Sequence, residues 1–289
     1  RIQGDVFDID ADIVIAMVLT VAKKGFDKSV FHSFGFAIFD ECHHMAARVM
    51  NAATLMLDCK YILGLTATKE RADGLTPLLH WSLGPEGFRH ECATEQTKVT
   101  CMIYDGGNKK EIFYKDGQPA MSLMLSRLAD DENRTLLIAQ RMLSYYKYER
   151  TIIVLSDRIS QLKTLCKFLT TLGVKEEDIG YLIGKTPKGD RPFVLERQII
   201  MCTYSMANEG LDKKKLDCLI MATPKGNCIQ AIGRIQRPCE DKKTPLVLDI
   251  VDNHSIFSKL RWKRYNMYNK NNFKCQTISS EDHGAEWFL

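Results

Sequence analysis

Residues 36–47 read FAIFDECHHMAA: four apolar residues, two adjacent acids, a cysteine, two histidines, then small apolar side chains again. A short continuous apolar run suits a strand buried on both faces, because a half-exposed strand would alternate apolar with polar positions. In open α/β sheets ligands bind beyond the carboxyl ends of strands, and Asp40 and Glu41 fall there. At such a place one carboxylate can hold a magnesium ion while its neighbour orients and deprotonates the water that attacks a phosphoanhydride. The pair alone carries little, since adjacent acids are common at helix starts, where they favour the positive end of the helix dipole.

Working outward, similar apolar runs recur: DIVIAM (12–17), FGFAIFD (34–40), YILGLTAT (61–68), TIIVLSD (151–157), RQIIMCT (197–203), DCLIMAT (217–223) and PLVLDIV (245–251). Longer helical patterns lie between them, as the connections of a parallel sheet require, so the fold class is α/β. The runs form two groups separated by a polar stretch with turn signals at Gly106-Gly107, Asp116-Gly117 and Pro119. This predicts one domain over 1–91, a connector over 92–118 and a second domain over 119–289, opening with a helix over about 120–149. The stretch FSKLRWKRYNMYNKNNFK (257–274) interleaves basic and aromatic residues. Two readings of it stay open: a surface that follows a nucleic-acid backbone and stacks on bases, or a terminal helix docked on its domain by its aromatics.

Composition narrows the class. The chain has 289 residues, is 45% hydrophobic and carries a formal net charge of +4, so it suits two globular cores and gives no strong anion-binding signal from its total. Its ten cysteines show no C-x-x-C pair, which suits a reducing compartment better than a disulfide framework or zinc site. No apolar segment approaches the length of a membrane span and no signal-peptide pattern opens the chain, so a soluble intracellular protein is expected, one in which the sequons at Asn133 and Asn253 are unused.

Five motifs occur in order: DECHH (40–44), LGLTATKERADGL (63–75), TIIVLSDR (151–158), TYSMANEGLD (203–212) and QAIGRIQR (230–237). Together they resemble the superfamily 2 helicases, most nearly the XPB-type DNA helicases and related helicases of large nucleocytoplasmic DNA viruses. The resemblance runs over nearly the whole chain. It implies two RecA-like parallel-sheet domains, the cofactors ATP and Mg2+, and DNA as partner, with RNA as an alternative because DECH also occurs in RNA-acting relatives.

By this resemblance Asp40 would coordinate Mg2+, Glu41 would be the general base, and His43 would link nucleotide state to the next motif. Thr66 and Thr68 would couple the ATP site to movement of the second domain, although hydroxyls there also cap strand ends. Arg234 and Arg237 would be the guanidinium fingers, with Gln230 as a further contact and Gly233 permitting close approach; three residues apart, the two arginines share a face if the stretch is helical. Glu209, Gly210 and Asp212 would lie near the nucleotide, and Thr203 would meet a nucleic-acid phosphate. Thr20, Ser156 and Arg158 occupy positions resembling backbone-contacting loops. Two departures stand out: Leu19 replaces a usual polar residue, and Lys69 stands where T-A-T-P would have proline.

A helicase of this type also needs a G-x-x-x-x-G-K-[ST] phosphate loop, whose amides and lysine hold the phosphates. None precedes Asp40. GYLIGKT (180–186) is one spacer short, is followed by Pro187, and corresponds better to the family's Y-x-G-G-K-like segment, which makes Lys185 a candidate nucleic-acid contact. The expectation is that residues 1–91 are the rear part of an incomplete first domain and expose an unpaired sheet edge. Two functions then compete: an ATP-dependent DNA helicase or translocase in the full-length protein, or a catalytically inactive nucleic-acid-binding fragment.

Overall fold

The computed structural model describes residues 1–66, 74–88 and 97–281, leaving aside the side chains of Arg48 and of 208–210. The chain divides into two compact units, 1–92 and 93–289.

In the first unit, β1 (Ile2–Gln3) and β2 (Val6–Phe7) form a small antiparallel ribbon, and α1 (Val18–Lys23) follows. Then come β3 (Phe36–Phe39), a 3-10 turn over Cys42–Ala46, α2 (Arg48–Met56), β4 (Tyr61–Gly64) and α3 (Thr76–Leu83). β3 and β4 pair in parallel, with Phe36 opposite Tyr61 and Phe39 opposite Gly64. Its core gathers Ile2, Val21, Phe31, Cys42, Met45, Ala46, Ala53 and Leu79, with Phe39 packed against it.

The expected two-sided burial of β3 is not seen among the described residues. Phe36 and Ile38 are 53% and 57% exposed, and their neighbours Tyr61 and Leu63 are exposed beside them, so one face of this sheet is open. DIVIAM also departs from expectation. It makes a single bridge, Ala16 with Ile2, and leaves Ile13 and Ile15 exposed.

The second unit runs β5 (Lys98–Tyr104), α4 (Met121–Asp130), α5 (Glu132–Lys147), β6 (Ile152–Leu155), α6 (Ile159–Thr171), β7 (Ile179–Leu182) and α7 (Arg191–Glu196). It continues through β8 (Ile199–Cys202), α8 (Tyr204–Gly210), β9 (Cys218–Met221), α9 (Ile229–Ile235), β10 (Leu246–Asp252), α10 (Ser255–Lys270) and β11 (Lys274–Ser279). The strands form one parallel sheet in the order β11-β5-β10-β9-β6-β8-β7.

Strand periodicity explains the layers, since successive side chains of a strand point to opposite faces. Ile152 and Val154 pack with Ile138, Met142, Leu162 and Leu165 of α5 and α6. Ile153 and Leu155 pack with Ala231, Ile232 and Ile235 of α9 and Tyr268 of α10. β6 is thus buried on both sides, as its unbroken apolar run predicts.

Two expectations are corrected here. The connector over 92–118 contains β5, which lies between β11 and β10, so residues 98–104 belong to the sheet. The single helix over about 120–149 is two. Asp131 breaks it: its carboxylate accepts the Arg134 amide N–H at 3.0 Å, capping α5, and takes the Tyr104 hydroxyl at 3.0 Å.

One buried cation closes this layer. Arg134 on α5 donates from Nε and Nη2 to the two Asp252 oxygens at 2.8 and 2.7 Å, and from Nη1 to the Ala222 carbonyl at 2.6 Å. It therefore ties the ends of β9 and β10 to the helix. Arg134→Ala is expected to destabilise the second unit by about 3–5 kcal/mol, because it leaves a buried carboxylate unpaired; urea unfolding followed by circular dichroism checks this. With one sheet face open, residues 1–92 should also be cleaved first in limited proteolysis, and protection equal to that of 93–289 would contradict this.

Candidate functional site

In the first unit the acids leave β3 through a sharp turn. Glu41 holds φ 48°, ψ 45°, a left-handed conformation that costs a non-glycine residue about 1–2 kcal/mol. Asp40 Oδ1 accepts the Glu41 amide N–H at 2.9 Å, which leaves Oδ2 without a part in that bond. Cys42 N–H then donates to the Leu65 carbonyl at 2.9 Å, and Leu65 N–H to the Phe39 carbonyl at 2.8 Å. The sheet ladder thus extends into the turn and sets residues 40–43 beside 65–66.

The consequence is a direct link between the two motifs. His43 Nδ1 and Thr66 Oγ1 are hydrogen-bonded at 2.9 Å, and the same nitrogen lies 3.3 Å from Glu41 Oε2. The His43 side chain is 15% exposed and its ring lies 4.1 Å, centroid to centroid, from that of His44. One imidazole therefore touches both the candidate base and the candidate coupling hydroxyl. Thr68 and Lys69 lie outside the described residues.

Beneath the turn Cys42 is buried, which pushes its thiol pKa up, with Glu41 and Asp40 adding to the shift. Its Sγ would lie 3.0 Å from a Cβ placed on Gly64, and Leu83 Cδ1 would lie 2.9 Å away. Glycine at the end of β4 is what lets the turn seat so closely.

In the second unit all seven strands run in parallel, so the residues following them share one rim. Thr203 follows β8 and N-caps α8, its Oγ1 3.2 Å from Ser205 Oγ. Beyond α8, Arg234 Nη1 donates to the Leu211 carbonyl at 3.0 Å, and Arg237 pairs through Nη1 with Asp212 Oδ1. The geometry differs in detail from two arginines on one helical face: α9 ends at Ile235, and Arg237 lies past its C-cap, Gln236. Both guanidinium groups nevertheless reach the same dipeptide. Gln230 and Gly233 sit within α9, and a Cβ at Gly233 would meet nothing within 4 Å, so the backbone there can be approached closely. Gly210 ends α8, and Glu209 is in it, their side chains being outside those described.

The loop after β6 is arranged otherwise than expected. Ser156 is fully buried, with Oγ donating to Gln161 Oε1 at 2.8 Å and accepting the Arg158 amide N–H at 3.0 Å. Arg158 gives Nε to Ser126 Oγ at 2.9 Å and Nη2 to Ser122 at 2.7 Å (carbonyl) and 2.8 Å (Oγ), so its guanidinium holds α4. Both side chains are thus engaged within the unit, Ser156 by its own loop and Arg158 by α4.

Sequence reasoning missed Lys225, whose Nζ reaches the Asp157 carboxylate at 3.1 Å and lies 5.0 Å from the centre of the Tyr204 ring. Its position after the DCLIMAT strand was the available signal. Lys185 follows the edge strand β7 and lines an open groove of about 510 Å³ with Tyr181, Pro187, Phe193 and Arg197. Thr20, in α1, accepts the Gly4 amide N–H at 3.3 Å.

Asp40 Oδ2 fits a hard cation that takes one or two carboxylates and otherwise phosphate and water oxygens. No cluster of three or more candidate ligands occurs among the described residues. None of the described helices is long and apolar enough to cross a membrane.

Residues 2–71 match the family described as the res subunit of type III restriction enzymes. A protein of Acanthamoeba polyphaga mimivirus named as an ATP-dependent RNA helicase is 30% identical over 282 residues, covering 95% of this chain and 54% of the relative. A protein of Invertebrate iridescent virus 6 named as a helicase is 29% identical, covering 89% and 59%. The chain spans little more than half the length of these curated relatives. Among solved structures, S. cerevisiae Dbp5 bound to RNA and ADP BeF3 superposes with a TM-score of 0.55 at 13% identity, over 96% of this chain and 69% of that one, a likeness of fold.

Gly64→Ala should force Cys42 and Leu83 away from β4 and destabilise the first unit by about 1–3 kcal/mol. Alkylation of Cys42 under native conditions should accelerate in parallel, read by mass spectrometry; an unchanged rate would mean that the turn does not depend on this approach.

Proposed function

Because the chain belongs to the superfamily 2 helicases, related to those of large DNA viruses, we propose that it carries the water-activating and charge-stabilising halves of an ATP-driven motor that moves along a nucleic-acid strand. The observation that supports this most is the His43–Thr66 hydrogen bond, since it joins the acids to the hydroxyl motif in the way a coupled hydrolytic site needs.

In this reading Glu41 accepts a proton from the attacking water, and Asp40 offers Oδ2 to Mg2+, which when bound neutralises phosphate charge. His43 senses the state of Glu41 and passes it to Thr66, with Thr68 continuing the path. Arg234 and Arg237 stabilise the charge that develops on the transferred phosphoryl group, an effect worth about 10³–10⁵ in rate for arginine fingers. Gln230, Gly233, Glu209, Gly210 and Asp212 surround the same nucleotide, Asp212 exchanging its pairing with Arg237 for the ribose. Thr20, Thr203 and Lys185 contact the strand, while Ser156 and Arg158 act as positioning residues for their loop.

DNA is the proposed strand. RNA is the second reading, supported by the name of the mimivirus relative. A catalytically inactive nucleic-acid-binding chain is the alternative to the motor, and it would bind a strand without hydrolysing ATP. Titration with DNA and RNA strands of one sequence at fixed salt, beside a phosphate-release assay, tests both points. Tighter RNA binding would replace DNA, turnover would reject the inactive-fragment reading, and binding to neither strand would remove the motor.

A further inference from the structure

We propose that the outward face of α10 is a stacking platform for a single nucleic-acid strand, separate from the helicase motifs. α10 carries two different faces. Phe257, Arg264 and Tyr268, at helical spacing, are buried against the unit. Arg264 Nε donates to Asp249 Oδ2 at 2.7 Å and Nη1 to the Lys225 carbonyl at 2.8 Å, while the Tyr268 hydroxyl donates to the same Asp249 oxygen at 2.9 Å. These bonds dock one face of the helix on the unit and leave the other facing outward.

That other face presents Lys259, Trp262, Lys263, Tyr265 and Asn266, all exposed. Trp262 is 63% and Tyr265 43% exposed, and their rings meet edge to face with centroids 5.9 Å apart. Two adjoining exposed rings flanked by lysines suit a partner that offers both a flat stacking surface and negative charge.

Charge points to the occupant. The chain has 40 Lys and Arg against 36 Asp and Glu, and residues 253–280 contain six of the basic residues and none of the acidic ones. The remainder of the chain therefore carries a formal charge of −2, and its entire positive excess lies in this segment. Aromatic rings set among cations, without carboxylates, are what a strand of stacked bases on a phosphate backbone requires.

This inference rests on the nucleic-acid reading above and deepens it. The test is fluorescence anisotropy with a labelled oligothymidylate of about 15 nucleotides, a length within the usual site sizes. Trp262→Ala with Tyr265→Ala should weaken binding about tenfold or more, whereas Trp262→Phe with Tyr265→Phe should stay within about twofold, since a phenyl ring still stacks. Lys259→Ala with Lys263→Ala should lessen the logarithmic salt slope by about 1.4. In a chain carrying Trp81→Phe and Trp287→Phe, the oligonucleotide should quench Trp262 fluorescence. Thermal melting confirms that each variant is folded. Wild-type binding that the alanine pair leaves unchanged, with no quenching, overturns the platform and spares the nucleic-acid reading; absence of wild-type binding overturns both.

Discussion

The buried guanidinium of Arg134 joins helix to sheet at the strand ends of the second unit. Arg134 spends Nε and Nη2 on Asp252 and Nη1 on the Ala222 carbonyl, so two strand ends and one helix meet at one cation. Buried charge is tolerated only where it is paired and hydrogen-bonded, and here three donor groups face a matched set of oxygens. The rim beyond the strands inherits that order. Thr223, directly after Ala222, takes the Asp157 amide N–H at 2.9 Å and through its carbonyl accepts the Tyr204 hydroxyl at 2.8 Å, linking the loops after β6, β8 and β9.

The same economy appears around the candidate chemistry. Beside their local contacts, several motifs are held by groups distant in sequence. His43 reaches Thr66, Arg234 reaches the Leu211 carbonyl, and Arg237 reaches Asp212. Such cross-motif bonds would serve the proposed motor because altering one partner alters the other, and the strained backbone of Glu41 sits at one of these junctions. The Arg237–Asp212 pair also gives a resting place to a charge that the proposed cycle would later turn toward phosphate.

Much of the fold was legible in apolar runs. The strands β6, β8, β9 and β10 coincide with TIIVLSD, RQIIMCT, DCLIMAT and PLVLDIV, because strands buried on both faces have no need of polar residues. β5 was hidden by the polar turns that follow it, and β11, KCQTIS, by the polar side chains an edge strand tolerates. DIVIAM misled in the other direction, having a strand's composition while making a single bridge among the described residues. The helix break at Asp131 carried a visible signal, an acid at a cap position, which the long apolar periodicity around it outweighed.

By itself the sequence determined the α/β class, the order of the motifs and the side-chain types available for phosphate chemistry, since those follow from hydrophobic periodicity and from the chemistry of carboxylates, hydroxyls and guanidinium groups. Only the tertiary structure decided which of those groups are accessible. Ser156 is sealed beneath its loop, Arg158 is taken up by α4, and α10 divides its aromatics between the core and water. The reason is that burial and pairing depend on what packs opposite a residue, and that neighbour lies tens of positions away in the chain: Ser122 for Arg158, Asp252 for Arg134, Thr66 for His43.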